Sequence, residues 1–200
     1  MRSEGGRRRR EAIFRRRGEL LALPAIALVF AGQPTRASIA CGLPLALAGE
    51  ALRCWAVGYA GTTTRGSEVT APQLVTAGPY AHLRNPLYLG NLITALGFSL
   101  AFCGGLPRAR ALVLGAAGIG TMLAVYSAIV PLEENYLRET FGAEFEAYVA
   151  RVPRLLPRLR PAQPQVGRYH PSVIVRAESR TFLTFGAMVL ALAWKFKATD

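Results

Sequence analysis

The residues of this chain that could do chemistry are concentrated in two short polar stretches. The first covers residues 74–90, LVTAGPYAHLRNPLYLG, and carries the tyrosines Tyr80 and Tyr88. The second is the pair Glu133 and Glu134, which follows a long apolar run. Tyrosine rings offer their faces to a cation, and a carboxylate pairs with an ammonium group or accepts from hydroxyls. These side chains suit a polar ligand that carries positive charge.

The first stretch also contains a helix start. Asn85 is suited to the N-cap position and Pro86 to the first helical position, where a missing N–H costs nothing. The unpaired N–H groups and the positive dipole end of such a helix attract a carboxylate or another anionic group. Each feature also has an ordinary explanation, since tyrosines occur at membrane interfaces, Asn is a common cap and a glutamate pair can start a solvated helix. The combination of both stretches favours a binding site.

The elements that position these residues are predicted to lie in a membrane. The chain has 200 residues, of which 52% are hydrophobic, and its apolar residues form runs instead of a periodic pattern. Of the 24 Lys and Arg, eight precede Leu20 and eight lie between Arg138 and Arg180. Basic flanks of apolar spans set membrane orientation, so this explanation of the net charge of +12 is preferred to nucleic-acid binding.

Five apolar runs are candidates for membrane helices, and each is bounded by polar or turn-forming residues. They cover Leu20–Gly32, Ala37–Gly61, Leu87–Phe102, Ala111–Val130 and Thr181–Trp194. The first follows an arginine-rich arm and is interpreted as a retained helix, with a cleaved signal peptide as the alternative. The last is short, and we expect a fifth span, with an interfacial helix as the alternative. Three cysteines and two histidines show no metal-ligand spacing, so no metal site is predicted.

The second span contains two ionisable residues. Glu50 and Arg53 are three residues apart and so share one face of a helix. Charged side chains within a span usually face the bundle interior or water. They form either a self-neutralising pair near the membrane surface or part of a substrate cavity, and the sequence leaves both interpretations open.

The fourth span and its continuation give three further expectations. Pro131 is expected to end the span, after which an amphipathic helix carries an ion pair between Glu134 and Arg138. Gly142 is expected to separate this helix from a short one. Small residues of the fourth span, among them Gly118 and Gly120, predict close packing of helix backbones.

The two polar stretches resemble motifs of the isoprenylcysteine carboxyl methyltransferase and phospholipid methyltransferase superfamily. The resemblance covers about residues 37–157. The first motif is carried by Gly78, Pro79, Tyr80, Arg84, Asn85, Pro86, Tyr88 and Gly90, and the second by Glu133, Glu134, Phe141, Gly142, Tyr148, Arg151, Val152, Pro153 and Pro157.

This resemblance implies binding of S-adenosylmethionine and methyl transfer. The implied cofactor contacts are Leu74, Val75, Tyr80, Asn85, Pro86, Leu87, Tyr88 and Glu133, with Arg65, Pro72 and Gln73 less securely matched. No catalytic residue is assigned by the motifs; the candidates are Arg53, Glu50 and Arg84. Methyl transfer depends largely on proximity, orientation and exclusion of water, so few catalytic side chains are needed.

Two positions depart from the family pattern. Asn85 stands where the family usually has His, which preserves hydrogen bonding but not proton transfer. Ile129 stands where the isoprenylcysteine enzymes have a substrate-binding Arg. An apolar side chain cannot hold a carboxylate, so the expected acceptor is a lipophilic small molecule or lipid and not a prenylated C-terminus.

The sequence therefore predicts an all-α integral membrane bundle of four to five transmembrane helices. Its cytosolic cofactor pocket is expected between loop 62–86 and the segment after the fourth span, within a domain of residues 20–157. Residues 1–19 would form a basic cytosolic arm and residues 158–200 a basic linker with an apolar helix. The Ala, Gly and Arg content favours a bacterial inner membrane. The alternative functions are an NADPH-dependent membrane reductase and a non-catalytic membrane protein, and the sequence does not predict the oligomeric state.

Overall fold

A computed structural model describes residues 2–61 and 71–199, with side chains described for 12–61 and 71–198. Within these residues the chain forms six α helices and a short 3₁₀ turn, Gly78–Ala81. The helices are α1 Arg2–Ala31, α2 Arg36–Ala60, α3 Pro86–Cys103, α4 Arg108–Phe141, α5 Ala143–Val149 and α6 Ser172–Thr199. The prediction of an all-α fold is confirmed.

Four helices are long and apolar enough to cross a membrane: α2, α3, α4 and α6. Large apolar side chains on their outer surfaces are exposed, for example Leu47, Leu100, Leu112 and Leu183. A water-soluble protein of this size would not present so many, whereas lipid tails solvate them. The prediction of four to five spans agrees with this set, and α6 contains the expected fifth span at Thr181–Trp194.

Helices α2 and α3 form the tightest pair of the bundle because glycines bring their backbones together. A Cβ added to Gly42 would lie 2.4 Å from the Gly97 carbonyl oxygen, and one added to Gly97 would lie 2.3 Å from the Ala46 nitrogen. Distances this short leave room only for hydrogen. Small residues serve this purpose in membrane helices, where no hydrophobic effect drives two helices together.

The glycines of α4 do not have the predicted role. A Cβ added to Gly120 would meet nothing within 4 Å, and one added to Gly118 would meet only the Pro24 side chain at 3.6 Å. The expectation that they support close backbone contact is therefore wrong. Glycine content alone does not reveal whether a small-residue face points to a neighbouring helix or away from it.

Pro131 does not interrupt helix α4, and the end of the membrane span at this residue stays a prediction. Helix α4 continues through this residue to Phe141 and forms one element of 34 residues. A proline removes one backbone hydrogen bond, whereas ending the helix inside a membrane would expose several backbone groups to lipid. The next predicted break is confirmed, since Gly142 has φ 49°, a conformation that favours glycine, and α5 follows.

Helix α1 begins well before the apolar run predicted for the first span. It starts at Arg2 and includes the arginine-rich arm, and it is not among the four helices that meet the length and hydropathy requirements for a span. Its side chains nevertheless belong to the bundle. Phe14 packs near Tyr126 of α4, and Leu28 packs near Phe102 of α3.

The two ends of the bundle differ in what closes them. At one end, which we call the far end, short turns join α1 to α2 and α3 to α4, and the Lys195 ammonium donates to the carbonyls of Phe30 and Gly32. At the other end, the site end, α2 and α4 finish and α3 and α6 begin. Residues 62–70, the first part of the loop 62–86 that was predicted to border the cofactor pocket, lie outside the described residues.

Candidate functional site

Two non-helical segments pair across the site end and form what we call the loop layer, residues 74–85 and 150–166. Their backbones are joined by hydrogen bonds from Arg84 N to Pro153 O (2.9 Å), Arg158 N to His82 O (3.0 Å), Ala162 N to Ala81 O (2.9 Å) and Thr76 N to Val166 O (2.9 Å). Backbone groups of irregular segments need such partners when they are removed from water. The basic, proline-rich strip after α5 is thus part of the folded site end.

The loop layer has its own apolar core. It contains Leu74, Phe145, Tyr148, Val152 and Ala162. The Tyr148 hydroxyl donates to the carbonyl of Tyr80 over 2.8 Å, so this core also fixes the 3₁₀ turn. Burial raises the pKa of the Tyr148 phenol above its usual value, and the phenol remains neutral and able to donate.

Glu134 lies below the loop layer between two arginines. Its carboxylate accepts from Arg84 Nε at 3.0 Å and from Arg154 Nε at 3.1 Å, and both guanidinium groups make a second contact with it. Hydrogen bonding to Glu134 raises the pKa of Arg154. We call these three residues the Glu134 ion cluster. The predicted pair with Arg138 is wrong, because Arg138 pairs with Glu146 of α5 and Glu134 pairs with Arg84 and Arg154.

Arg84, one of the three catalytic candidates, is held by this cluster and by the backbone. Its Nη1 also donates to the carbonyls of Val152 (2.6 Å) and Val149 (3.4 Å). These partners join the end of α4, the loop before α3 and the segment after α5. The contacts give Arg84 the role of holding these segments together.

Glu133, the other member of the pair, points to a different set of residues. It accepts from the Tyr88 hydroxyl over 2.7 Å, and the Tyr88 ring lies against Tyr126 with 4.4 Å between centroids. The charge of Arg17 on α1 is within electrostatic range of both Glu133 and Tyr88. The two adjacent glutamates therefore have separate functions, one in the loop layer and one facing the bundle interior.

The start of α3 lies beside this carboxylate. Asn85 is the N-cap and Pro86 the first helical residue, as predicted, and both are buried. The Asn85 side chain does not cap the helix, because its amide donates to the carbonyl of Arg154 at 3.1 Å. The first N–H groups of α3, which have no partner within the helix, are left for other groups.

Tyr80 connects the two halves of the site. Its phenol is within electrostatic range of Tyr148, Glu133 and Arg53, and burial is the main cause that raises its pKa. The nearby Tyr148 and Glu133 raise the pKa further, whereas Arg53 opposes them. Tyr80, Tyr88 and Glu133, three predicted cofactor contacts, are thus brought together from the loop layer, α3 and α4.

Arg53 and Glu50, the other catalytic candidates, belong to a buried polar cluster inside the bundle. Arg53 lies 3.7 Å from Glu50 and 2.7 Å from Glu178 of α6, and it also donates to Asn91 and to Thr181. Glu178 is 1% exposed, although it is charged. Its burial, like that of Glu50 and Arg53, follows from the pairing.

The remaining predicted contacts are placed less uniformly. Leu74 is in the core of the loop layer. Val75, which follows it, and Leu87, which follows Pro86, are partly buried. Pro72 and Gln73 are exposed, and Arg65 lies outside the described residues. Sequence reasoning named Tyr148 as part of the second motif but missed Arg154 and Glu178 as partners of the site. Arg154 lies between two prolines of that motif, and Glu178 precedes the last apolar run.

No group of three or more His, Cys, Asp or Glu side chains able to hold a metal ion occurs in the part of the chain that the structure describes. The donor set at the site end is instead one of carboxylates, phenols and helix N–H groups. These groups bind organic ligands with several polar functions.

A model of the phospholipid methyltransferase family matches residues 37–144, more than half of the chain. The chain belongs to this family. The match runs from α2 to the start of α5 and contains the first motif and the beginning of the second, through Gly142. The four apolar helices together with the family identify an integral membrane protein.

Individual relatives agree with the family match. A probable protein-S-isoprenylcysteine O-methyltransferase of Oryza sativa subsp. indica is 35% identical over 121 residues, covering 58% of this chain and 59% of the relative. Protein-S-isoprenylcysteine O-methyltransferase B of Arabidopsis thaliana is 30% identical over 120 residues, covering 58% and 57%. A cobalt-zinc-cadmium resistance protein of Cupriavidus metallidurans is 37% identical over 91 residues, covering 43% and 36%.

The chain therefore spans less than two thirds of the length of these relatives. No solved structure was found to match it.

Proposed function

We propose that this protein transfers a methyl group from S-adenosylmethionine to a lipophilic acceptor at the cytosolic face of a membrane. The observation that supports this best is the hydrogen bond between Tyr88 and Glu133 beside the start of α3, with Tyr80 within electrostatic range of the same carboxylate. In a chain of the phospholipid methyltransferase family, this arrangement matches what the cofactor requires.

The residues present fit the polar groups of S-adenosylmethionine. Glu133 can accept from its ammonium or ribose hydroxyls, and the first N–H groups of α3 can bind its carboxylate. Tyr80 and Tyr88 offer neutral aromatic faces to the adenine or to the sulfonium. The site thus has a carboxylate and two phenol rings for the positively charged groups of the ligand, and a helix N-terminus for its negatively charged group.

When bound, the cofactor supplies a methyl group on a positively charged sulfur. The chain contributes orientation and the exclusion of water, since the loop layer covers the site end with its own apolar core. The ion pair of Arg84 with Glu134 holds this layer against the end of α4. Glu133 is the adjacent residue of α4, so the same contact keeps Glu133 in place relative to the layer.

The acceptor is proposed to be a lipophilic molecule or lipid other than a prenylcysteine carboxylate. Ile129 is fully buried and packs with Val125, Tyr126 and Val130. The plant relatives are named as isoprenylcysteine O-methyltransferases, and a prenylcysteine carboxylate would find no cationic side chain at position 129 of this chain. A lipophilic molecule can approach from the bilayer between helices.

The site end is proposed to face the cytosol, with the membrane being a bacterial inner membrane. The helical arm of α1 begins at this end, and so does the basic strip that contains Arg151, Arg154 and Arg158. The far end carries fewer basic residues, with Arg36, Arg108 and Arg110 at its helix starts and Lys195 and Lys197 at the end of α6. This distribution follows the positive-inside rule.

The test is calorimetric titration of S-adenosylmethionine and S-adenosylhomocysteine into the detergent-purified protein. We expect Glu133→Gln and Tyr88→Phe each to weaken binding by about tenfold or more, the value of a lost hydrogen bond to a charged group. Glu139→Gln, an exposed site on the same helix, is the matched control and should bind like the unaltered protein.

Absence of binding by a folded, unaltered protein would refute the methyltransferase proposal. NADPH would then be titrated, because a reductase on a related scaffold is the alternative. That alternative needs a basic cluster for a phosphate group, and of its two candidate residues Arg84 is already held by Glu134, while Arg65 lies outside the described residues. Binding of neither ligand would favour a non-catalytic protein.

A further inference from the structure

The buried cluster of Glu50, Arg53 and Glu178 lies about as deep in the bundle as the cofactor-binding residues. Arg53 is seven residues before the end of α2, and Glu178 is six residues after the start of α6. At 1.5 Å per helical residue, both lie about 10 Å from their helix ends. Glu133 is eight residues before the end of α4 and hence at a similar depth.

Side chains connect this cluster to the proposed cofactor site. The Tyr80 phenol interacts electrostatically with both Glu133 and Arg53. A second connection runs through α3, where Asn91 accepts from Arg53 and lies about one helical turn after Tyr88, whose hydroxyl donates to Glu133. Tyr88 and the Asn91 amide, on one face of α3, therefore link the two carboxylate sites.

The backbone of α3 makes room for the arginine. A Cβ added to Gly90 would lie 2.7 Å from Cγ of Arg53 and 2.9 Å from the Gly49 carbonyl oxygen. Any larger residue at position 90 would displace the Arg53 side chain or separate α2 from α3. Gly90, the last residue of the first motif, thus allows Arg53 to lie against α3 next to Asn91.

We propose that Glu50, Arg53 and Glu178 form the acceptor end of the site and bind the hydroxyl group of a lipophilic alcohol or phenol. This inference rests on the proposed function. It assigns an acceptor-site residue to α6, which lies outside the part of the chain that the family model matches.

The charges of the cluster select among possible head groups. Two carboxylates repel an anionic acceptor, and they would hold an amine in its charged form, which lacks the lone pair needed for attack. A hydroxyl can donate to a carboxylate while its oxygen lies near a guanidinium. As negative charge develops on that oxygen, Arg53 stabilises it, whereas the same arginine would oppose the positive charge that develops on an attacking amine.

The transfer balances with these groups. The acceptor oxygen forms a bond to the methyl carbon as the carbon–sulfur bond breaks, and the electron pair of that bond remains on sulfur. The hydroxyl proton passes to a carboxylate oxygen of Glu50 or Glu178. The products are a methyl ether, a neutral thioether and one proton held by the protein.

The experiment compares three probes with one apolar body and different head groups: para-octylphenol, para-octylbenzylamine and para-octylbenzoate. Thermal unfolding is followed in one detergent without cofactor, so binding is measured apart from activity. We expect the phenol to raise the unfolding temperature most, and Glu178→Gln and Glu50→Gln to weaken its binding by about tenfold each. Glu139→Gln is again the control and should keep the full shift.

Two variants are needed because Glu178→Gln also alters the contact between α6 and α2. Glu50 pairs with Arg53 within α2, so Glu50→Gln leaves the link between the helices in place. Equal phenol shifts in both variants and the unaltered protein, or a larger shift with the benzoate or the benzylamine, would overturn the assignment and leave the cluster a structural ion pair. Failure of the proposed function would be seen separately, as absence of S-adenosylmethionine binding by the unaltered protein.

Discussion

Replacing Glu134 by Gln should release the loop layer while leaving the membrane helices folded. The Glu134 side chain is 8% exposed and lies between Arg84, which is 10% exposed, and Arg154, which is 51% exposed. Removing one partner of a buried ion pair costs about 3–5 kcal/mol, because the other charge remains buried. Arg84 keeps two carbonyl acceptors and Arg154 is solvated, so we expect the lower value, about 3 kcal/mol.

Amide hydrogen exchange measures this effect where it should occur. The amides of Arg84, Arg158 and Ala162 are bonded across the loop layer, and their exchange reports its opening. A loss of about 3 kcal/mol corresponds to exchange that is about a hundredfold faster in peptides from residues 74–85 and 150–166. Peptides from α2 and α3 should exchange as before.

The adjacent glutamate provides a matched comparison. Glu133→Gln should weaken cofactor binding without changing exchange in the loop layer, because Glu133 bonds to Tyr88 and not to the two arginines. Glu139→Gln should change neither property. Unchanged exchange in the Glu134→Gln protein would refute the stabilising role of the ion cluster, and equal acceleration in both variants would show that the glutamates are not functionally separate.

Two further predictions concern stability. Gly97→Ala should lower the unfolding temperature by the equivalent of about 1–3 kcal/mol, because its Cβ would lie 2.3 Å from the Ala46 nitrogen. The control Gly120→Ala should not destabilise the protein, since its Cβ would meet nothing within 4 Å. Equal unfolding temperatures of the two variants would contradict the packing described for α2 and α3. Because the pKa values of Tyr80 and Tyr148 are raised above 10.0, folding favours their neutral forms, and stability should fall as the pH rises above this value. Chemical denaturation across alkaline pH should show a shallower fall for Tyr148→Phe, and an unchanged slope would argue against this source of pH dependence.

The sequence predicted the membrane helices well because long apolar runs have few alternative structures. The predicted bounds of the second and third spans differ from α2 and α3 by one residue at each end. Helix α4 continues through Pro131 although proline favours a helix end in water, where exposed backbone groups are solvated. Within a membrane domain the same residue is accommodated inside a helix.

The proximity of Tyr88 and Glu133 was predictable from the sequence, whereas the partners of Glu134 were not. Tyr88 and Glu133 lie in separate motifs, and their joint occurrence predicted a common site, which their hydrogen bond supports. Spacing alone predicted that Glu134 would pair with Arg138 four residues later. A tertiary contact with Arg84 and Arg154 replaced this local pair, and no periodicity in the sequence indicates such long-range partners.

Partners of the Glu134 ion cluster lie beyond the part of the chain that the family model matches. The family match ends at residue 144, yet Arg84 bonds to Val149 and Val152, and Glu134 bonds to Arg154. Arg84 and Glu134 thus depend on residues beyond the boundary of the matched region. Homology defines where the family's motifs lie, whereas the autonomous unit of folding must extend at least through the strip that completes the loop layer.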